Sequence, residues 1–113
     1  MISGTSASLA ALFTFGKKLS NTAGNVANAN TNGYKKTVAT IIEDDKGLPE
    51  VSLRKSDSPG SLIEEDGVMR EASNVDLLEE LPQMVVTQRG YEANIKALKA
   101  QDDLLKATLD ILT

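Results

Sequence analysis

The last third of the chain carries an apolar repeat that suits a helix and little else. Leu77, Leu81, Met84, Gln88, Tyr91, Ile95, Leu98, Asp102, Leu105, Leu109 and Leu112 alternate at spacings of four and three, and nine of the eleven are apolar or aromatic. Residues so spaced fall on one stripe of an α-helix, the seam of a coiled coil. A second seam lies at the other end, where Ile2, Thr5, Leu9, Leu12, Gly16, Leu19, Ala23 and Val26 follow the same alternation. Gly16 and Ala23 narrow this seam and let a partner helix come close, although Gly16 costs about 1 kcal/mol of helix propensity relative to Ala. Narrow seams at the two ends have an economical solution, pairing with each other or with copies from neighbouring subunits. Gln88 and Asp102 are polar interruptions of the kind that set register and partner choice in coiled coils.

Local signals mark where these helices end. Asn28-Ala29-Asn30-Thr31-Asn32-Gly33 favours caps and left-handed turns and should stop the first helix. Ser73 or Asn74 is expected to cap the second, with Asp76 in its first turn beside the helix dipole. Pro82 removes a helical hydrogen bond and crowds the preceding turn, so the spacing predicts either a kink over residues 78–82 or a main helix that begins at Pro82. Glu92 with Lys96, and Lys99 with Asp103, are i,i+4 pairs that suit a solvated outer face.

The middle follows a period of two. Thr37-Val38-Ala39-Thr40-Ile41-Ile42 is β-branched, Asp44-Asp45-Lys46-Gly47 reads as a turn, and Val51 and Leu53 resume the alternation, which predicts a hairpin. Ser58-Pro59-Gly60 and Glu65-Asp66-Gly67 then leave Leu62, Ile63, Val68 and Met69 room for short strands or an ordered loop. The fold class is therefore α+β: an N-terminal helix with an Asn-rich end over residues 1–33, a short β-rich arm over 34–72 that projects from the helices and packs on something else, and a C-terminal helix over 73–113.

Composition narrows the chemistry. With no Cys, His or Trp among 113 residues, the chain has no thiolate nucleophile, no imidazole acid or base, no disulfide and no zinc or haem site of the usual kinds. The acidic clusters Glu43-Asp44-Asp45 and Glu64-Glu65-Asp66 lack the ligand spacing of a calcium loop and read as solvated turns. No cofactor, metal or catalytic residue is expected. Charge is unevenly distributed: residues 1–40 hold Lys17, Lys18, Lys35 and Lys36 and no carboxylate, while the remainder carries 8 basic and 16 acidic residues. Four lysines beside so acidic a remainder argue against nucleic-acid binding. The apolar stretch over residues 9–15 is far too short to span a bilayer, and no basic region precedes an uninterrupted apolar run, so neither a transmembrane segment nor a cleaved secretory signal is expected.

Two segments resemble a known family. Asn25-Val26-Ala27-Asn28-Ala29-Asn30-Thr31-Asn32-Gly33-Tyr34-Lys35 is similar to the N-terminal signature of the bacterial flagellar axial proteins, the rod and hook family. Ser73-Asn74-Val75-Asp76-Leu77, followed by Gln88-Arg89-Gly90-Tyr91-Glu92-Ala93-Asn94, is similar to the family's C-terminal signature. The short middle segment makes the small proximal-rod proteins of the basal body the nearest in form.

The resemblance implies a non-enzymatic structural subunit of the basal-body rod in the periplasmic space, exported from the cytoplasm by the flagellar type III apparatus. Its partners would be that apparatus, other rod and hook subunits, and further copies of itself. The terminal helices would polymerise into the inner tube of a hollow drive shaft. The expected assembly interface is Leu9, Leu12, Leu19, Val26, Asn28, Asn30, Gly33 and Tyr34 from the first part, with Leu77, Met84, Tyr91, Asn94, Ile95, Leu98, Leu105 and Leu109 from the second. The rival reading is a soluble coiled-coil adaptor or export-associated protein related to the axial proteins.

Overall fold

The computed structural model describes residues 2–113, with side chains from residue 4 onward. Ile2, first in the N-terminal seam, has its side chain outside the described residues. Helix α1 spans Ile2–Ala27; strands β1 (Thr37–Glu43) and β2 (Pro49–Lys55) form one hairpin, β3 (Leu62–Glu65) and β4 (Val68–Glu71) a second, and helix α2 runs over Leu77–Leu112. Thirty-six residues make α2 about 54 Å long. The molecule is correspondingly a rod, 77 × 26 × 14 Å.

The two helices pack antiparallel: Gly4 faces Gln101, whereas Gly16 and Phe15, a dozen residues on, face Tyr91 and Gly90. Helix α1 runs into the Asn-rich turn, where Asn28 N–H donates to the carbonyls of Gly24 and Asn25. Helix α2 opens on a different residue from the one expected. Asp76 is its N-cap, in extended conformation, and its carboxylate accepts from Leu78 N–H at 3.0 Å. Ser73 and Asn74 are used elsewhere: Ser73 Oγ accepts from Val75 N–H, and Asn74 binds the backbone of Lys36. The helix thus begins at Leu77, not at Pro82, and Pro82 lies within it near its start. There its missing N–H leaves Leu78 without a helical donor, near a helix end where carbonyls can still reach solvent.

Both predicted hairpins form. In the first, Thr37 pairs with Lys55 and Glu43 with Pro49. Its loop is tied by the Asp44 carboxylate, which accepts from Lys46 N–H at 2.8 Å and Leu48 N–H at 2.9 Å. The second turns on Asp66-Gly67, both at positive φ (52° and 76°), the geometry of the tightest hairpin turns. The hairpins differ in placement. The first lies along α1 and packs on it, so this half of the arm does not project; the second packs on no other helix or strand.

Among the described residues no apolar side chain is buried, and the buried ones are Ser8, Thr14, Thr22, Asn25, Ser56, Ser73, Glu80 and Thr87. Hydrophobic burial normally dominates folding, so a single chain whose buried positions are hydroxyls and amides leans unusually on hydrogen bonds, beside half-buried apolar side chains such as Leu12, Leu19 and Leu98.

Candidate assembly interface

The helices and the first hairpin meet at the tripeptide Lys35-Lys36-Thr37, and the Asn-rich signature builds this junction. Asn25, 2% exposed, accepts at Oδ1 from the Tyr34 hydroxyl at 3.0 Å and from Thr37 N–H at 3.1 Å, and donates from Nδ2 to Thr37 O at 2.9 Å. Asn21 donates to the same carbonyl at 2.7 Å. Asn74 accepts from Lys36 N–H at 2.7 Å, donates to Ser58 O at 2.9 Å, and its backbone N–H reaches Tyr34 O. Gly33, at φ 76°, donates its N–H to Glu71 O at 2.9 Å.

Charge follows the same junction. Lys36 lies 3.4 Å from Glu79 and 3.9 Å from the buried Glu80 in the first turn of α2. Lys35 pairs with Glu71 and also donates to Ser58 O at 3.1 Å. The Lys35 ammonium, and then Gly60 N–H, hold the Glu71 carboxyl below its ordinary value of 4.5. The basic N-terminal part and acidic remainder seen in the sequence are therefore drawn together at one end of the helix pair. At the other end Gln101 bridges two hydroxyls of α1, accepting from Thr5 at 3.1 Å and donating to Ser8 at 3.2 Å. Between these clasps the helices approach through reciprocal aromatic–glycine contacts, Phe15 on Gly90 and Tyr91 beside Gly16.

The face of α2 turned to α1 is rotated from its apolar repeat. Glu80, Met84, Thr87, Asn94, Leu98 and Gln101 are covered or half-covered, whereas Leu77, Leu81, Gln88, Ile95, Asp102, Leu105 and Leu109 remain exposed. Of the predicted interface, Met84, Asn94 and Leu98 face α1, with Tyr91 at its margin, 36% exposed. Asn94 Nδ2 donates within the helix to Gly90 O at 2.9 Å. On α1, Leu12, Leu19 and Val26 are half-buried and Leu9 is exposed, as is Phe13 beside it. Asn28 binds its own helix end, donating to Gly24 O, and Asn30 stands exposed beside a groove that includes Leu77. Tyr34 is half-buried against Asn25.

Alongside the seam runs an open groove of about 710 Å³, lined by Thr5 and Ser6 of α1 and by Ile95, Leu98, Lys99, Gln101, Asp102 and Leu105 of α2. Asp102 accepts from Lys106 at 3.0 Å, which raises the lysine's pKa. Apolar stripes of this extent on a small chain mark contact surfaces. The hydroxyl and amide contacts of Thr14, Gln101 and Asn74 were not legible in the apolar pattern, because each polar residue that bonds inside the chain occupies a position that an apolar count passes over. No helix of the described residues is long and apolar enough to cross a membrane, and none of their acidic side chains cluster in a way that could hold a metal ion.

Comparison with known proteins gives a consistent kinship. The family described as "Flagellar basal body rod FlgEFG protein C-terminal" matches residues 66–111. The flagellar hook protein FlgE of Borreliella burgdorferi is 34% identical over 77 residues, 68% of this chain and 17% of that protein. The flagellar basal-body rod protein FlgG of Bacillus subtilis is 27% identical over 88 residues, 78% of this chain and 33% of that protein. FlgE of Escherichia coli is 46% identical over 41 residues, 36% of this chain and 10% of that protein. The chain thus spans between a tenth and a third of the length of these relatives.

Proposed function

Because the chain belongs with the flagellar rod and hook axial proteins, we propose that it is a structural subunit of the basal-body rod that polymerises through its terminal helices into a hollow shaft. The observation that carries this reading is the division of labour on α2: its polar residues satisfy α1 within the chain, while Leu77, Leu81, Ile95, Leu105 and Leu109 stay exposed. Each exposed leucine or isoleucine moved out of water by a neighbour contributes about 1–2 kcal/mol, so contact between successive copies along this stripe would be favourable. Head-to-tail, heterologous contacts would give the shaft its polarity.

The short middle, two small hairpins in place of an outer domain, supports a rod position over a hook position, as does the share of the rod protein FlgG that the chain covers. A helix pair held by hydroxyls and amides also suits export through a narrow channel, since it opens without disrupting a packed core. The partners on this reading are the export apparatus, other rod and hook subunits, and the chain's own copies, and its place is the periplasmic part of the basal body.

Mass spectrometry of stringently washed hook-basal bodies tests this directly. The chain should be present in stoichiometric amounts, and Leu105→Asp should remove it from the basal body while the soluble protein keeps its helix content. Absence from basal bodies with abundance in the cytoplasm would overturn the rod reading in favour of an adaptor.

A further inference from the structure

Two side-chain amides stand where a backbone partner would hold the start of β1. Asn25 of α1 pairs with both polar groups of Thr37, accepting from its N–H at 3.1 Å and donating to its carbonyl at 2.9 Å. One residue earlier, Asn74 accepts from Lys36 N–H at 2.7 Å and donates to Ser58 O at 2.9 Å, on the segment that follows β2. The Asn amide carries its donor and its acceptor on separate atoms of one short side chain, so each can bridge two backbone groups much as a neighbouring strand does. The two amides come from different elements, one from α1 and one from the turn entering α2, and they seize consecutive residues. The far end of the hairpin is tied to the same helix by Thr14 Oγ1, which donates to Pro49 O at 2.9 Å.

We propose that Asn25 and Asn74 are positioning residues that fix the direction of the β1–β2 hairpin relative to the helix pair. The helix seam is less suited to that task, because it fully buries no apolar side chain among the described residues and meets through only a few close contacts such as Phe15 on Gly90. The burial of Asn25, at 2% exposure, is that of a pin enclosed on all sides. In a lattice of identical subunits the amides would make every hairpin point the same way. That use rests on the assembly reading, whereas the positioning itself is a property of the single chain and is tested on it.

The chain lacks cysteine, so nitroxide labels at Lys46→Cys in the hairpin loop and Lys96→Cys on α2 report one distance by pulsed electron paramagnetic resonance. The parent should give a narrow distribution. Asn25→Asp with Asn74→Asp keeps shape and acceptors but removes the amide donors of these two residues, leaving Thr37 O to Asn21 alone and Ser58 O to Lys35 alone, and should lose the narrow distribution while circular dichroism shows the helices intact. Should the double variant lose helix signal, Asn74→Asp alone decides in the same way, because it leaves every contact of α1 in place. A distribution as narrow as the parent's, a broad one already in the parent, or a fall in melting temperature with no change of width would each overturn the proposal. None of these outcomes depends on whether the chain is found in basal bodies.

Discussion

Replacing Gly90 by Ala sets two effects of known sign against each other. In a helix interior Ala is favoured over Gly by about 1 kcal/mol. At Gly90, however, a Cβ would stand 2.9 Å from Cε1, 3.0 Å from Cζ and 3.3 Å from Cδ1 of Phe15, closer than carbon atoms pack. Forcing a methyl into an occupied site costs about 1–3 kcal/mol. Phe15 is half-buried and its ring can swing outward, which puts the cost toward the low end, so Gly90→Ala should destabilise the parent by about 0–2 kcal/mol. In a Phe15→Ala background the obstruction is gone and the same change should stabilise by about 1 kcal/mol. Gly24 supplies the control: nothing lies within 4 Å of a Cβ there, so Gly24→Ala should stabilise both backgrounds alike, by somewhat under about 1 kcal/mol because it sits in the last turn of α1. Urea unfolding followed by the helix circular dichroism signal measures all of these. If Gly90→Ala stabilises the parent as much as it stabilises the Phe15→Ala chain, the Phe15–Gly90 contact does not join the helices as described.

Other expectations follow from single groups. The Thr87 hydroxyl is buried, with the residue 1% exposed and no hydrogen-bond partner; Thr87→Val replaces it by a methyl of the same shape and should raise stability by about 1 kcal/mol in the same urea assay. Glu71 has its pKa lowered in the folded state by Lys35, so its contribution is present above the ordinary carboxylate value of 4.5 and is lost as pH falls below it. The stability difference between the parent and Glu71→Gln should therefore be constant at neutral pH and close as the solution is acidified below 4.5.

The elements were readable because each announces itself over a long stretch or a tight turn. The four-three repeat from Leu77 to Leu112, the β-branched run before Asp44, and Asp66-Gly67 are local signals, and local geometry answers them. The orientation of the helices was harder to read. An apolar stripe says which side of α2 wants to leave water, but the chain turns Glu80 and Gln101 inward, since Lys36 and the Thr5 and Ser8 hydroxyls are what α1 and the segment after it offer. The cap moved for a similar reason. Asn74 has the chemistry of an N-cap, yet Lys36 N–H claims it from 38 residues away, and Asp76 takes over the helix end. Such long-range competition has no trace in spacing. The signature asparagines were visible as a motif, but their use inside the chain, with Asn25 serving Thr37 and Tyr34, needed the three-dimensional juxtaposition.

The rotation of α2 has a consequence that equal substitutions on its two sides can expose. A helix that spent its leucines on its own partner would have to release that partner to assemble, whereas this one holds α1 with one face and keeps another free. Leu98 is half-buried toward α1, and Leu109 is 52% exposed. Leu→Ala removes the same carbon atoms at both sites. At Leu98 it should lower the stability of the isolated chain by about 1 kcal/mol, because roughly half or more of the side chain leaves an existing contact. At Leu109 the isolated chain should change by no more than a few tenths, as surface substitutions do, while on the proposed rod reading incorporation into basal bodies falls. Stability from urea unfolding and incorporation from mass spectrometry separate the two. Equal losses of stability at both sites would mean that the apolar stripe already serves the single chain, and that its exposure is not what draws one copy to the next.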